Sequence, residues 1–236
     1  MMSITVTNPE GRKVEFKDQR GPTCGLYALS FVLEYLYDIK MPATADGDKT
    51  KESLRNKFKK DGKTVIGELY DATPSMADYI KGLESTKIKC QSVACDVPSI
   101  IETLNGGGLC MVPFCVDAGG NPDNSGIHAH WCVLQAVPDK TKPGEVTALH
   151  WGDRMRKFSL AALKNSNSAI KDVDASWWGK EKDSTGLRYY HCEAEQSTAA
   201  KDSYGVVHQI KEGSVKLIPA TPLSKNLAGK MLVFAK

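Results

Sequence analysis

The sequence predicts an α+β protein, with a helical first half set against an antiparallel β-sheet built from the second half. Two observations lead there. The apolar stretch that opens at Cys24 and runs to about Tyr37 has the length of a helix, not of a strand. After the Asn105-Gly106-Gly107-Gly108 break the hydrophobic period changes to two, and short apolar runs follow one another between turn signals. Helices first and strands later is an α+β order. The 236 residues suffice for a single domain over 1–236, with a mainly helical lobe over about 18–105 and a mainly β lobe over about 106–236.

Each element has its own signal. Ile4 and Val6, then Val14 and Phe16, alternate with polar residues around the Asn8-Pro9-Glu10-Gly11 turn and read as two short strands. The helix from Cys24 follows, then a loop over 38–48. A second helix is expected over 52–60 and a third after Pro74, which suits a first helical position. Ile88 to Val93 reads as a strand, and Pro98 to Leu104 as a short helix. Leu109 to Phe114 reads as a buried strand, and 117–126 is a loop by its Gly, Asn, Asp and Pro content. Strands are expected over 131–137 and 145–151, with the Lys142-Pro143-Gly144 turn between them. Residues 157–163 pass from strand into helix, and further strands are expected over 188–192, 215–218 and 231–234.

Composition narrows the function classes. With 41% apolar and 25% charged residues the chain resembles soluble globular proteins. No apolar run approaches bilayer length, and Met1 to Thr7 lacks the basic and apolar stretches of a signal peptide. The seven cysteines are odd in number and scattered, with no C-x-x-C pair. These features point to a cytoplasmic protein with neither a membrane nor a metal partner. A net charge of +3 argues against a dedicated nucleic-acid binder. The charge is uneven, however: seven basic residues stand against two acidic ones between Lys49 and Lys63. Leu54 and Phe58 anchor one helix face there, leaving Lys57, Lys59 and Lys60 outside, either as a solvated face or as a rim that steers an acidic ligand.

The most informative run is Gly21-Pro22-Thr23-Cys24-Gly25-Leu26. It places a cysteine in the first turn of a helix, where unpaired N–H groups and the helix dipole favour a thiolate. Gly25 leaves room beside the sulfur. Gln19, five residues upstream, is placed to form an oxyanion hole with the Cys24 N–H. A buried structural cysteine is the competing reading.

A thiolate nucleophile needs a base, and the base an orienting group. Of the five histidines, His130 opens an apolar strand directly after a polar loop, held rigidly yet reachable from a cleft. His128 lies deeper in the loop. His150 ends the next strand, and Asp153 follows it in a turn from which a carboxylate can meet the His130 imidazole. The order Gln, Cys, His, Asp in fitting local contexts points to nucleophilic acyl transfer. His128, Cys132 and His150 are more simply packing residues than metal ligands, so no cofactor is expected.

With Gln19, Cys24-Gly25 and the His130-Trp131-Cys132-Val133-Leu134 strand assembled, the chain resembles papain-like cysteine peptidases. A closer resemblance is to the actin maturation proteases. It rests on Gln19 to Leu29, on Gly67-Glu68-Leu69-Tyr70 with Met76-Ala77-Asp78, on Leu109 to Phe114, on Gly126 to Trp131, and on Asn226 to Phe234. The resemblance implies a papain-like fold and removal of the acetylated N-terminal residue of actin. It implies Cys24 as nucleophile, His130 as base and Gln19 as oxyanion donor, with Gly25 and Trp131 at the substrate. Asp153 as third residue rests on the strand argument. Members of that family often carry a proline-rich segment for profilin, and this sequence shows none, so the resemblance leaves profilin open as a partner. Two rival readings share the motifs: another acyl-transfer enzyme on this fold (a deamidase, a transglutaminase or an effector protease), and a catalytically inactive binding module.

Overall fold

The computed structural model describes residues 3–19, 23–45, 52–64, 67–136, 141–142, 144–152, 154–171 and 223–236. Strands β1 (Ser3–Thr7) and β2 (Lys13–Lys17) form an antiparallel hairpin. Helices α1 (Cys24–Tyr37), α2 (Leu54–Lys60) and α3 (Pro74–Leu83) follow. Then come β3 (Lys89–Ala94), α4 (Val97–Asn105), β4 (Leu109–Val116), β5 (Pro122–Asp123), β6 (Ala129–Ala136), β7 (Glu145–His150), β8 (Arg154–Ser159) and α5 (Leu160–Ala169). The chain closes with α6 (Leu223–Asn226) and β9 (Lys230–Ala235). The result is an α+β protein with an antiparallel sheet. The strands expected over 188–192 and 215–218 lie outside the described residues.

The seven-stranded sheet runs β3-β9-β4-β6-β7-β8, with β5 beside β4, and every described pairing is antiparallel. The 131–137 strand begins two residues earlier than expected, so His130 is its second residue and is buried. The caps explain the helix starts. Ser53 accepts from the Asn56 N–H and Asp96 from the Ser99 N–H, and Pro opens both α3 and α4.

Strand alternation sorts the core into two clusters, one on each face of the sheet. On one face Leu109 and Met111 of β4, Trp131 and Val133 of β6 and Leu149 of β7 pack with α1. On the other Cys110, Val112 and Phe114, then Cys132 and Leu134, then Val146 and Ala148, pack with Ile100 and Leu104 of α4 and Leu160 and Leu163 of α5. Pro113 is tolerated mid-strand because its missing N–H faces the place where β9 begins. Buried Asn167 fills that place instead, donating to the Pro113 carbonyl at 2.8 Å and the Lys230 carbonyl at 3.0 Å and accepting from the Gly229 N–H at 2.9 Å. Cys90, Cys95, Cys110, Cys115 and Cys132 are buried thiols, which accounts for five of the seven cysteines as core residues.

Candidate active site

Cys24 is the first residue of α1. The N-cap, Thr23, is buried and makes no side-chain cap bond, and the first turn carries no acidic residue. The backbone N–H groups of Cys24 and Gly25 act on the sulfur instead, as does that of Trp131 from β6. All three favour the thiolate, but burial outweighs them and pushes the thiol up to about 11. Burial thus works against the thiolate expected from the helix start, while the residue as a whole is half-buried.

Gly25 is required by close approach. A Cβ there would lie 2.5 Å from Leu69 Cβ and 3.0 Å from Trp131 Cδ1. The space beside Gly25 is thus filled by protein. Trp131 is 2% exposed and donates its indole N–H to the Leu69 carbonyl at 2.6 Å. Gly25 and Trp131, expected at the substrate, form the packed wall behind the sulfur. The Leu69 segment is fixed in turn by buried Glu68, which accepts from the Thr64 hydroxyl at 2.8 Å and the Gly67 N–H at 3.0 Å. Gly67, at φ 126°, lies so close to Thr23 that a Cβ would fall 2.6 Å from its methyl group.

Strand register explains why the Trp131 N–H reaches sulfur. The Val116 N–H donates to the His128 carbonyl at 3.1 Å. By antiparallel alternation, His130 and Cys132 then point their backbone groups at β4, and Trp131 points its own towards β7. The β6–β7 register, Val133 opposite Leu149, would set Trp131 opposite Trp151, one residue beyond the end of β7. A gap in the ladder lies there, and Cys24 occupies it. Trp151 has turned out of the strand at φ 61°.

His130 points from the opposite face of β6, and its described contacts do not bring its ring to the Cys24 sulfur. Its ring packs edge-on against Phe114 at 5.7 Å, His150 at 5.2 Å and Trp151 at 5.8 Å between centroids. Its Nε2 is buried without a hydrogen-bond partner. Burial first, and the neighbouring His150 second, push the imidazole down to about 3, so it is neutral at pH 7. The group expected beside His130, a carboxylate, is preceded in the observed packing by the rings of His150 and Trp151. Asp153 lies outside the described residues. His128 is exposed.

The chain before Gln19 is held by a turn. Gly152, at φ 71°, packs so tightly that a Cβ would fall on the Asp18 backbone. The chain one residue before Gln19 is thereby fixed against the residue after Trp151, and Gln19 is half-buried. The lysines stand on α2. Lys57 pairs with Asp61 at 3.6 Å, and Lys57, Lys59 and Lys60 form the last turn, where cations suit the helix dipole. Sequence reasoning missed Leu69, Phe114 and Trp151 as parts of the site. No spacing rule marks a carbonyl or a ring supplied by a distant strand. Among the described residues no group of three His, Cys, Asp or Glu is placed to hold a metal, and no described helix is long and apolar enough to cross a membrane.

Comparison with known proteins bears on the family of the chain. Residues 14–137 match the family model described as actin maturation protease-like, C-terminal domain. The chain belongs to that family. It is also 28% identical over 160 residues to the actin maturation protease of Drosophila melanogaster, covering 65% of this chain and 55% of that protein. The chain thus spans about half the length of the curated relative it matches. The matched family region contains Gln19, Cys24, Gly25, the α2 lysines, His130 and Trp131, and stops short of Asp153.

Proposed function

We propose that this chain is a cytoplasmic cysteine peptidase of papain-like fold that removes the N-acetylated first residue of actin. Cys24 is the nucleophile, His130 the base, Gln19 an oxyanion donor and Asp153 the orienting group of the base. The observation that carries the reading is the sulfur of a helix-opening cysteine held by the backbone N–H of Trp131, the residue that follows His130. The family and the Drosophila relative supply the substrate.

The resting pair is thiol and neutral imidazole. As substrate enters, His130 turns from its ring contacts into the gap and takes the thiol proton. Such catalytic hydrogen bonds often tighten only in the complex. The sulfur attacks the carbonyl of the acetylated residue. Negative charge gathers on its oxygen, where the Gln19 amide and the Cys24 N–H stabilise it. The C–N bond breaks, and His130 gives its proton to the amine of the shortened actin. Water, losing a proton to His130, then cleaves the thioester and releases the acetylated amino acid and the Cys24 thiol.

The test is mass spectrometry of the actin N-terminus after incubation with the chain, beside the Cys24→Ala variant. Loss of the acetylated residue with the first and not with the second is expected. Cleavage by Cys24→Ala at a similar rate rules the mechanism out. Turnover of glutamine side-chain substrates in place of acetylated peptides would move the assignment to a deamidase or transglutaminase.

A further inference from the structure

The hairpin that precedes the nucleophile helix has an uncovered edge. Asn8 donates its N–H to the Arg12 carbonyl at 2.9 Å, so Asn8–Arg12 is a hydrogen-bonded pair. Alternation then makes Val6–Val14 and Ile4–Phe16 the next bonded pairs. The backbone N–H and C=O groups of Lys13, Glu15 and Lys17 therefore point away from β1. Among the described residues no strand pairs with β2 on that side.

That edge forms one wall of a trench. A cavity of about 220 Å³ lies between Glu15 and Lys17 of β2, Tyr27, Ser30 and Glu34 of α1, and residues 40–44. A second, of about 270 Å³, shares Glu34 and Lys40 and continues past Lys13 to Asp38. The trench starts at the site. Tyr27 is one helical turn from Cys24, and Tyr27, Phe31 and Glu34 continue the same face of α1. Lys17 is two residues before Gln19. Lys17 stands at the near end, Lys13 at the far end, and exposed Lys40 across from them.

We propose that this trench binds the substrate polypeptide downstream of the removed residue, as an extended strand added antiparallel to β2. The inference rests on the peptidase reading above. β2 runs towards the site, and a peptide whose first residue lies at Cys24 runs away from it, which fixes the antiparallel sense. The three outward residues of β2 match about five residues of peptide at ~3.3 Å each. Main-chain bonds to the edge give affinity with little sequence demand. The trench lining is of mixed sign: Lys13, Lys17 and Lys40 suit acidic residues of a peptide, and Glu15 and Glu34 stand among them.

The experiment uses N-acetylated peptides of two, four, six and eight residues copied from the actin N-terminus. Cleavage is read as kcat/KM, and binding as anisotropy of the labelled octapeptide on the Cys24→Ala chain. The octapeptide should exceed the dipeptide by at least tenfold, mainly through KM. Glu15→Pro removes one outward N–H at an edge position that tolerates proline. It should shrink the ratio about fivefold, the scale of one hydrogen bond, and weaken octapeptide binding similarly. N-methylation of alternate peptide amides should do the same in the wild-type chain, with no change to the protein. Equal kcat/KM for dipeptide and octapeptide, unaffected by N-methylation, overturns the trench and leaves the peptidase reading standing. Octapeptide binding that is sensitive to Glu15→Pro, without cleavage of any peptide, upholds the trench and removes the peptidase reading.

Discussion

The two faces of β6 solve different problems. Towards α1, Trp131 and Val133 lie against glycine and aliphatic carbon, and the one polar group, the indole N–H, has its acceptor in Leu69. Towards α4 and α5, Cys132 and Leu134 continue an apolar core, yet His130 brings an imidazole into it beside a second one, His150. Burying a histidine whose Nε2 has no partner is costly, and the downward shift of His130 records that cost. One face is arranged to stay fixed. The other holds a desolvated titratable group among Phe114, His150 and Trp151, and perturbed groups of this kind cluster where chemistry is done.

The widest contrast is between two histidines two residues apart. His130→Ala should lower turnover by three orders of magnitude or more, as expected when a nucleophile–base pair is broken. His128→Ala, at an exposed position before the strand, should cost less than about threefold, within the range of surface substitutions. Steady-state kinetics on folded variants checks this, and a reversed ranking would make the His130 face a purely structural feature.

Gln19 comes next. Its alanine variant should lose about a hundredfold in kcat, the scale of one oxyanion donor. Asp153→Ala should lose less, since water or an amide can orient an imidazole in its place. A silent Gln19→Ala would mean that the Gly152–Asp18 contact holds the segment for packing alone.

On the fixed face the effect moves from rate to stability. Trp131→Phe leaves the Leu69 carbonyl without its donor and should cost about 1–3 kcal/mol, read as a shift in the urea midpoint. The titratable face responds to pH instead. The folded His130 pKa of about 3 lies below the value near 6.5 of an unfolded chain, so between those values the unfolded chain binds the extra proton. Stability contributed by neutral His130 is complete above pH 6.5 and lost as pH falls towards 3, at up to about 1.4 kcal/mol per unit. Urea titrations at pH 7, 5.5 and 4.5 should show this slope for the wild-type chain and a shallower one for His130→Phe. Parallel slopes would place the shift elsewhere.

Much of this contrast was legible in the residues. The start of α1 at Cys24 and its end near Tyr37 followed from an apolar run of helix length, and the switch to period two after Gly108 marked the sheet. Pro74 and Pro98 marked the starts of α3 and α4 to within a residue, while the caps Ser53 and Asp96 were not read from the sequence. What stayed hidden depends on register. No local signal says that β7 stops one residue short of Trp131, yet that shortfall frees the N–H which holds Cys24. Nor does the glycine after Cys24 reveal that Leu69 fills its space. Helix-start N–H groups are visible in the sequence, whereas the burial that opposes the thiolate comes from tertiary packing.

The smallest effect concerns the charge at the end of α2. Lys57, Lys59 and Lys60 close α2, where they already serve the helix terminus, and Lys57 is paired with Asp61. If they also steer an acidic actin N-terminus, they act on encounter and not on chemistry, because fields from exposed charges speed association and are screened over about 8 Å at physiological ionic strength. Reversing all three to glutamate should then lower kcat/KM about threefold to tenfold at low salt, with kcat unchanged and the deficit closing as salt rises. The trench proposed along β2 sharpens the test, since Lys13, Lys17 and Lys40 remain in place and keep their own share of the attraction. A triple variant equal to wild type at low ionic strength would assign all the steering to the trench and leave the α2 lysines as a solvated helix end.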